Sequence, residues 1–302
     1  MSSSKFLVMA LSAISVVANP IPLDQPTRVV PRSPPTPSAY PLGAACGNEW
    51  QYLNFKPNDN TDKAHLQTLH DIICSGEVRA LARAGVDAAT KTNAVYKRYF
   101  PLTDEEDDFE GHVISVLSRI AGTDGMIGQV VGAFVVDNLD FAGTCAANDL
   151  TLAYTNTDDL DDREKIHFCD IAWARPNTQT RSTQCSTFGN FPSTNMDTFS
   201  RVALHEMTHY STVGPDSALK EQIRDVKNAD GSTAYDPPRV HGLIDPDQDD
   251  NPALTEINAD SYAWMSLDAW ISMTCSTNAA TYDTFFPQNP PAYEPDDDSD
   301  GD

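Results

Sequence analysis

The 302-residue sequence predicts an α+β domain, helix-rich with a small sheet, and three observations carry that prediction. Apolar residues recur at helical spacing through most of the first half of the chain. Two short runs in the middle, residues 150–154 and 166–173, read as strands. Helical patterns return at residue 199 and near residue 254, which places the sheet among helices.

Taken in order, residues 1–18 are expected to be a secretory signal. Lys5 supplies a short positive start, residues 6–18 form an apolar stretch of thirteen, and Val16 and Ala18 are small residues before a cut. A membrane-spanning helix takes about 20 apolar residues, so this stretch is too short to be one. Residues 19–44 hold eight prolines and little periodicity, as a linker or a pro-segment does. The domain itself is placed at residues 45–286, about 240 residues and enough for a single substantial core.

Within that domain, helices are expected over residues 61–75, 77–100 and 103–121, the last opening on an acidic turn that suits a helix N-terminus. After the strands comes a helix over residues 199–210, with Phe199, Val202, Ala203, Met207 and Tyr210 on its apolar face. Thr194-x-x-Asp197 reads as its capping box, and Pro192 bars an earlier start. A polar loop spans residues 211–252 and a last helix residues 254–273. Residues 287–302 end in a run of aspartates that repel one another, and are expected to be a disordered acidic tail.

Composition narrows the partners. With 20 basic against 44 acidic residues the formal charge is −24, which argues against nucleic acid or an anionic membrane, since phosphate contacts demand Lys and Arg. It is compatible with attracting cationic substrates, and more plainly with solubility in an acidic milieu; protein or peptide substrates and a monomeric state are expected. The six cysteines are spread out without a C-x-x-C pair. In an oxidising, extracellular setting they suggest three disulfides out of fifteen possible connectivities. The pairs expected are Cys169 with Cys185, Cys74 with Cys145, and Cys46 with Cys275.

The most specific feature is His205-Glu206-Met207-Thr208-His209, an H-E-x-x-H pentad inside the helix at residues 199–210. Residues four apart share a helix face, so both imidazoles can reach one ion. Zinc accepts imidazole nitrogen, and Glu206 stands where it could take a proton from a water at the open position. A catalytic zinc needs a third protein ligand. His241 is the only histidine downstream; otherwise the ligand is a carboxylate, with Glu221 and Glu256 as candidates.

Four segments give the chain a resemblance to the aspzincins, the fungal secreted deuterolysin and peptidyl-Lys metalloendopeptidases. They are Tyr96-Lys97-Arg98-Tyr99-Phe100, Phe168-Cys169-Asp170-Ile171, the pentad, and Asn258-Ala259-Asp260-Ser261-Tyr262. The last is the specific one, about fifty residues after the pentad. The resemblance covers residues 74–275 and implies a zincin-like fold, one zinc ion per chain and secreted endopeptidase activity.

In that family the third ligand is an aspartate in a loop G-T-x-x-D-x-x-Y-G. Here the matching aspartate is Asp225 and the tyrosine Tyr235, separated by an apparent insertion of about seven residues with a turn at Asp230-Gly231. Asp216, in a shorter loop, is the alternative ligand. Tyr235 is implied as the donor to the oxyanion. The family's glycine after the tyrosine is replaced by Asp236. Asp260 falls on the apolar stripe of the last helix with Ile257, Trp264, Leu267 and Ile271. A carboxylate there needs an internal amide or arginine; the resemblance implies instead that it binds a substrate Lys after the scissile bond. The irregular loop at Asp225 also fits a catalytically weak or inactive secreted interaction protein on the same fold.

Overall fold

The sheet is built from β1 (Gln51–Leu53), β2 (Val135–Asp137), β3 (Ala153–Asp158) and β4 (Arg163–Phe168), in the order β1-β2-β4-β3. β1 and β4 each run parallel to β2, while β3 runs antiparallel to β4 and forms one edge. The computed structural model describes residues 51–56, 58–74, 76–102, 108–122, 134–158, 163–249, 251–276 and 284–293. All of them belong to one compact unit, Pro34–Asp302. The expected signal and the linker at residues 19–44 lie outside the described residues.

Both expected strands exist, with shifted bounds. The Cys169 N–H donates to Leu152 O at 2.8 Å, after which Asp170–Ala174 coils into a 3-10 turn. β1 and β2 were not expected, because three residues are too few to show a period.

Eight α-helices, several of them short, surround the sheet among the described residues. The first three are α1 (Asn60–Leu69), α2 (Glu77–Ala88) and α3 (Phe109–Ala121). The helix expected over residues 77–100 breaks after Ala88. Asn93 there turns its side chain onto the Val95 N–H at 2.8 Å, the local bond by which Asn competes with helix. Tyr96–Arg98 then forms a separate 3-10 turn. The start of α3 is set by Asp108, whose carboxylate accepts from the Gly111 N–H.

Next come α4 (Thr144–Ala147), α5 (Thr178–Ser182), α6 (Phe199–Thr208), α7 (Pro237–Gly242) and α8 (Ala259–Cys275). α8 packs on α2 and α6 and is buried on nearly every side, as a central helix is. It carries Asp268 into the interior, where Arg98 pairs with it at 2.9 Å. The other Arg98 amine bonds to Phe286 O, pinning the C-terminal segment to the core. Further along, Gln288 N bonds to Asn190 O at 3.0 Å and Tyr293 Oη donates to Asp249 at 2.8 Å. Residues 294–302 are outside the described residues.

The disulfides are a correction. Cys145 pairs with Cys169, and Cys185 with Cys275, so none of the three expected pairs forms. Sixteen residues of chain after Cys169 do not turn back on it; α5 carries Cys185 to the end of α8 instead. Loops spanning 24 and 90 residues are closed. In the chain-entropy view each stabilises by roughly 3–5 kcal/mol. Cys46 and the side chain of Cys74 lie outside the described residues. No described helix is long and apolar enough to cross a membrane.

Candidate metal centre

The pentad ends α6, and every residue of that helix is buried. Its start differs from the expected capping box. Thr194–Met196 is a separate 3-10 turn, and the cap is Thr198, whose hydroxyl accepts from the Arg201 N–H at 3.1 Å. Asp197 is taken by the Arg201 side chain, at 2.8 and 3.1 Å.

At the other end of the helix the two histidines face each other, with Nε2 atoms 3.2 Å apart. Asp225 Oδ1 completes a triangle, 3.2 Å from His205 Nε2 and 3.5 Å from His209 Nε2. A tetrahedral zinc with bonds of roughly 2.0–2.1 Å has ligand–ligand edges of about 3.3–3.4 Å. The triangle has that size.

The tautomers agree with it. His205 Nδ1 lies 2.6 Å from Asp260 Oδ1 and His209 Nδ1 lies 3.2 Å from Ile223 O. With both rings neutral and both Nδ1 atoms donating, the two Nε2 lone pairs would face one cation in the triangle; without metal, a proton on His205 can take that place. The donor set, two imidazoles and a carboxylate, therefore fits a divalent metal such as zinc.

Asp225 is brought there by two devices. Its neighbour Arg224 is clamped to the start of α8, Arg224 N to Ile257 O at 2.8 Å and Ala259 N to Arg224 O at 3.1 Å. The inserted residues then form a small hairpin, with Ala234 N bonded to Val226 O and Gly231 in the left-handed region at its tip (φ 89°). The hairpin leaves and returns, so Tyr235 Oη donates to Asp225 Oδ2 at 2.9 Å despite the ten-residue separation. Asp236 has φ 68° and ψ 156°, a region that glycine tolerates and that costs other residues of order 1–3 kcal/mol. Its carboxylate offsets this by capping α7 at Arg239 N.

The remaining candidates are placed elsewhere. Asp216 is exposed, with its carboxylate 3.7 Å from Arg119. Glu256 pairs with His112, and His241 Nδ1 lies 2.9 Å from Arg98 O; Glu221 is exposed and outside the cluster. A second group that could hold a metal, Cys145, His167 and Cys169, has both sulfurs joined in a disulfide.

Glu206 is buried beside the triangle, and its Oε2 accepts from Thr155 Oγ1 at 2.7 Å. Burial raises its pKa, against the pull of both histidines and Thr155. Asp225 keeps 36% of its side chain exposed; its partial burial opposes ionisation, but His205 and His209 outweigh it and hold that carboxyl far below its usual range. Tyr235 is 46% exposed, but partial desolvation of its phenol and the adjacent Asp225 push its pKa up, so it remains a donor.

Asp260 is 2% exposed. Besides His205, it accepts from Arg201 Nη1 at 2.9 Å, from Trp264 Nε1 at 3.2 Å and from the Asp236 N–H at 3.2 Å. Both oxygens are doubly engaged by these internal groups. The internal amide and arginine that a buried carboxylate needs are both present.

Two residues at the centre escaped the reading of the sequence. Thr155 reaches Glu206 from β3, and nothing in the sequence links them. Arg201 was legible in principle, since it lies one turn before His205 on the same face. No family model, no curated protein and no solved structure matches this chain.

Proposed function

We propose that the chain is a secreted zinc endopeptidase of zincin-like fold, related in its site to the aspzincins. The observation that carries the reading is the triangle of His205, His209 and Asp225 with the Glu206 carboxylate beside it. A cleft of 590 Å³ opens over these residues and is bordered by the edge strand β3, along which an extended peptide could pair. The two disulfides support an oxidising, extracellular setting.

Zinc held by the triangle would act as a Lewis acid toward water and the scissile carbonyl. Glu206 takes the proton of the attacking water and passes it to the leaving amine. Thr155 fixes which way the Glu206 carboxylate faces. Tyr235, kept protonated, swings from Asp225 to donate to the oxyanion. The lysine preference that the resemblance implies is not carried over, because Asp260 is fully engaged by internal donors.

The test combines metal content with peptide cleavage. Purified protein should hold one zinc per chain and cleave a denatured protein, and Glu206→Gln should keep metal and fold while losing at least about 10²–10⁴ in rate. Full cleavage by that variant would refute the mechanism.

A further inference from the structure

A second cleft, of 490 Å³, opens off the first and shares His205, Glu206, Tyr235 and Ala153 with it. It has an apolar side: Leu150 and Leu152 lead into β3, while Val202 and Trp264 come from α6 and α8. Thr233, at the end of the inserted hairpin, closes another side. The shared residues put this space next to any bond held over the triangle.

Apart from Glu206, which also faces the first cleft, the charges within it are paired. Arg201 is 6% exposed, stacks at 4.4 Å on the Trp264 ring and bonds to both Asp197 and Asp260. Asp236 is paired with Arg239 at 2.9 Å, and Glu206 lies at the boundary with the first cleft. An ammonium entering this space would lose water and meet a guanidinium, with neither Asp260 oxygen free to receive it. An apolar side chain would lose nothing by the same move and would cover Leu152, Val202 and Trp264.

We propose that this side pocket receives a substrate side chain flanking the scissile bond and selects an uncharged, apolar one, with Arg201 cancelling the charge of Asp260. The proposal rests on the endopeptidase reading for its substrate, but the pocket's selectivity can be measured without turnover.

The experiment has two readouts. Zinc-loaded protein is titrated by calorimetry with two peptide hydroxamates that differ in one side chain flanking the hydroxamate, leucine or lysine. The leucine compound should bind about tenfold or more tightly. In parallel, a denatured protein is digested and the residues on both sides of every cut are read; leucine, methionine and phenylalanine should be enriched on one side and lysine depleted. Equal binding, tighter binding of the lysine compound, or lysine enrichment at the cuts would each overturn the proposal. Discrimination in binding with no cleavage would support the pocket and count against the endopeptidase reading alone.

Arg201→Gln should bring lysine into the profile, but it removes a charged partner from two buried carboxylates and endangers folding. Leu150→Asp is the safer variant, since Leu150 is 79% exposed at the rim. It should raise lysine at the cuts several-fold, and an unchanged profile would remove this pocket from substrate selection.

Discussion

His205 Nδ1 and Asp260 Oδ1 lie 2.6 Å apart, joining α6 to α8 across 55 residues of sequence. The contact does two things at once. It sets the tautomer that turns Nε2 toward Asp225, and it holds the ring at a fixed angle. Arg201, Trp264 and the Asp236 amide brace the same carboxylate, so the ligand helix, the last helix and the end of the inserted hairpin meet at one side chain.

Asp260→Asn should therefore weaken zinc binding by about 10–100-fold without abolishing it, the usual cost of losing a partner behind a metal ligand. Competition with a chromophoric chelator measures this directly. An affinity equal to that of the parent would mean that Asp260 serves packing alone.

The two candidate third ligands separate cleanly. Asp225→Ala should lose zinc at neutral pH, whereas Asp216→Ala should retain it, because Asp216 lies on the surface beside Arg119. Metal analysis of both variants after dialysis decides the matter, and the reverse pattern would displace Asp225 from the site.

Thr155 is a positioning residue for Glu206. Thr155→Val preserves shape and removes the hydroxyl, so kcat should fall about tenfold or more, the equivalent of one hydrogen bond to a charged group. KM and zinc content should stay put, and Thr155→Ser should restore most of the rate. A variant that loses zinc or stability in step with rate would show the bond to be purely structural.

Metal uptake should depend on pH. In the metal-free protein burial opposes charge on His205, but Asp260 and Asp225 outweigh it and raise the pKa well above the ordinary 6.5. A raised folded-state pKa adds stability that is complete below 6.5 and is lost as pH rises through the folded value. Zinc takes the neutral ring, so binding must release that proton. Affinity should climb by about tenfold per pH unit while His205 remains protonated, then level off. Titrations between about pH 6 and pH 9 in buffers of different ionisation enthalpy would count the proton; a flat profile would contradict the raised pKa.

The sequence by itself determined the parts whose cause is local. The helix around the pentad and the shared face of His205 and His209 follow from a period of 3.6 residues. The mixed α+β class, the two longer strands and the last helix were legible for the same reason. So was the turn at Asp230-Gly231, because glycine at a positive φ marks it. Where local hydrogen bonds compete with periodicity, the bounds moved, as at Asn93 and Thr198.

Only the tertiary structure decided which distant residues meet. Spacing along the chain says nothing about direction, so Cys169 turned to Cys145 and Cys185 to Cys275. The choice between Asp225 and Asp216 depended on the clamp from Arg224 to α8, a contact with no local signature. Periodicity placed Asp260 on a buried stripe and so required a partner for it. That its partners in the fold are Arg201, Trp264, His205 and a backbone amide follows from how α6, α8 and the hairpin pack: a buried carboxylate is satisfied by whichever donors the fold brings within about 3 Å.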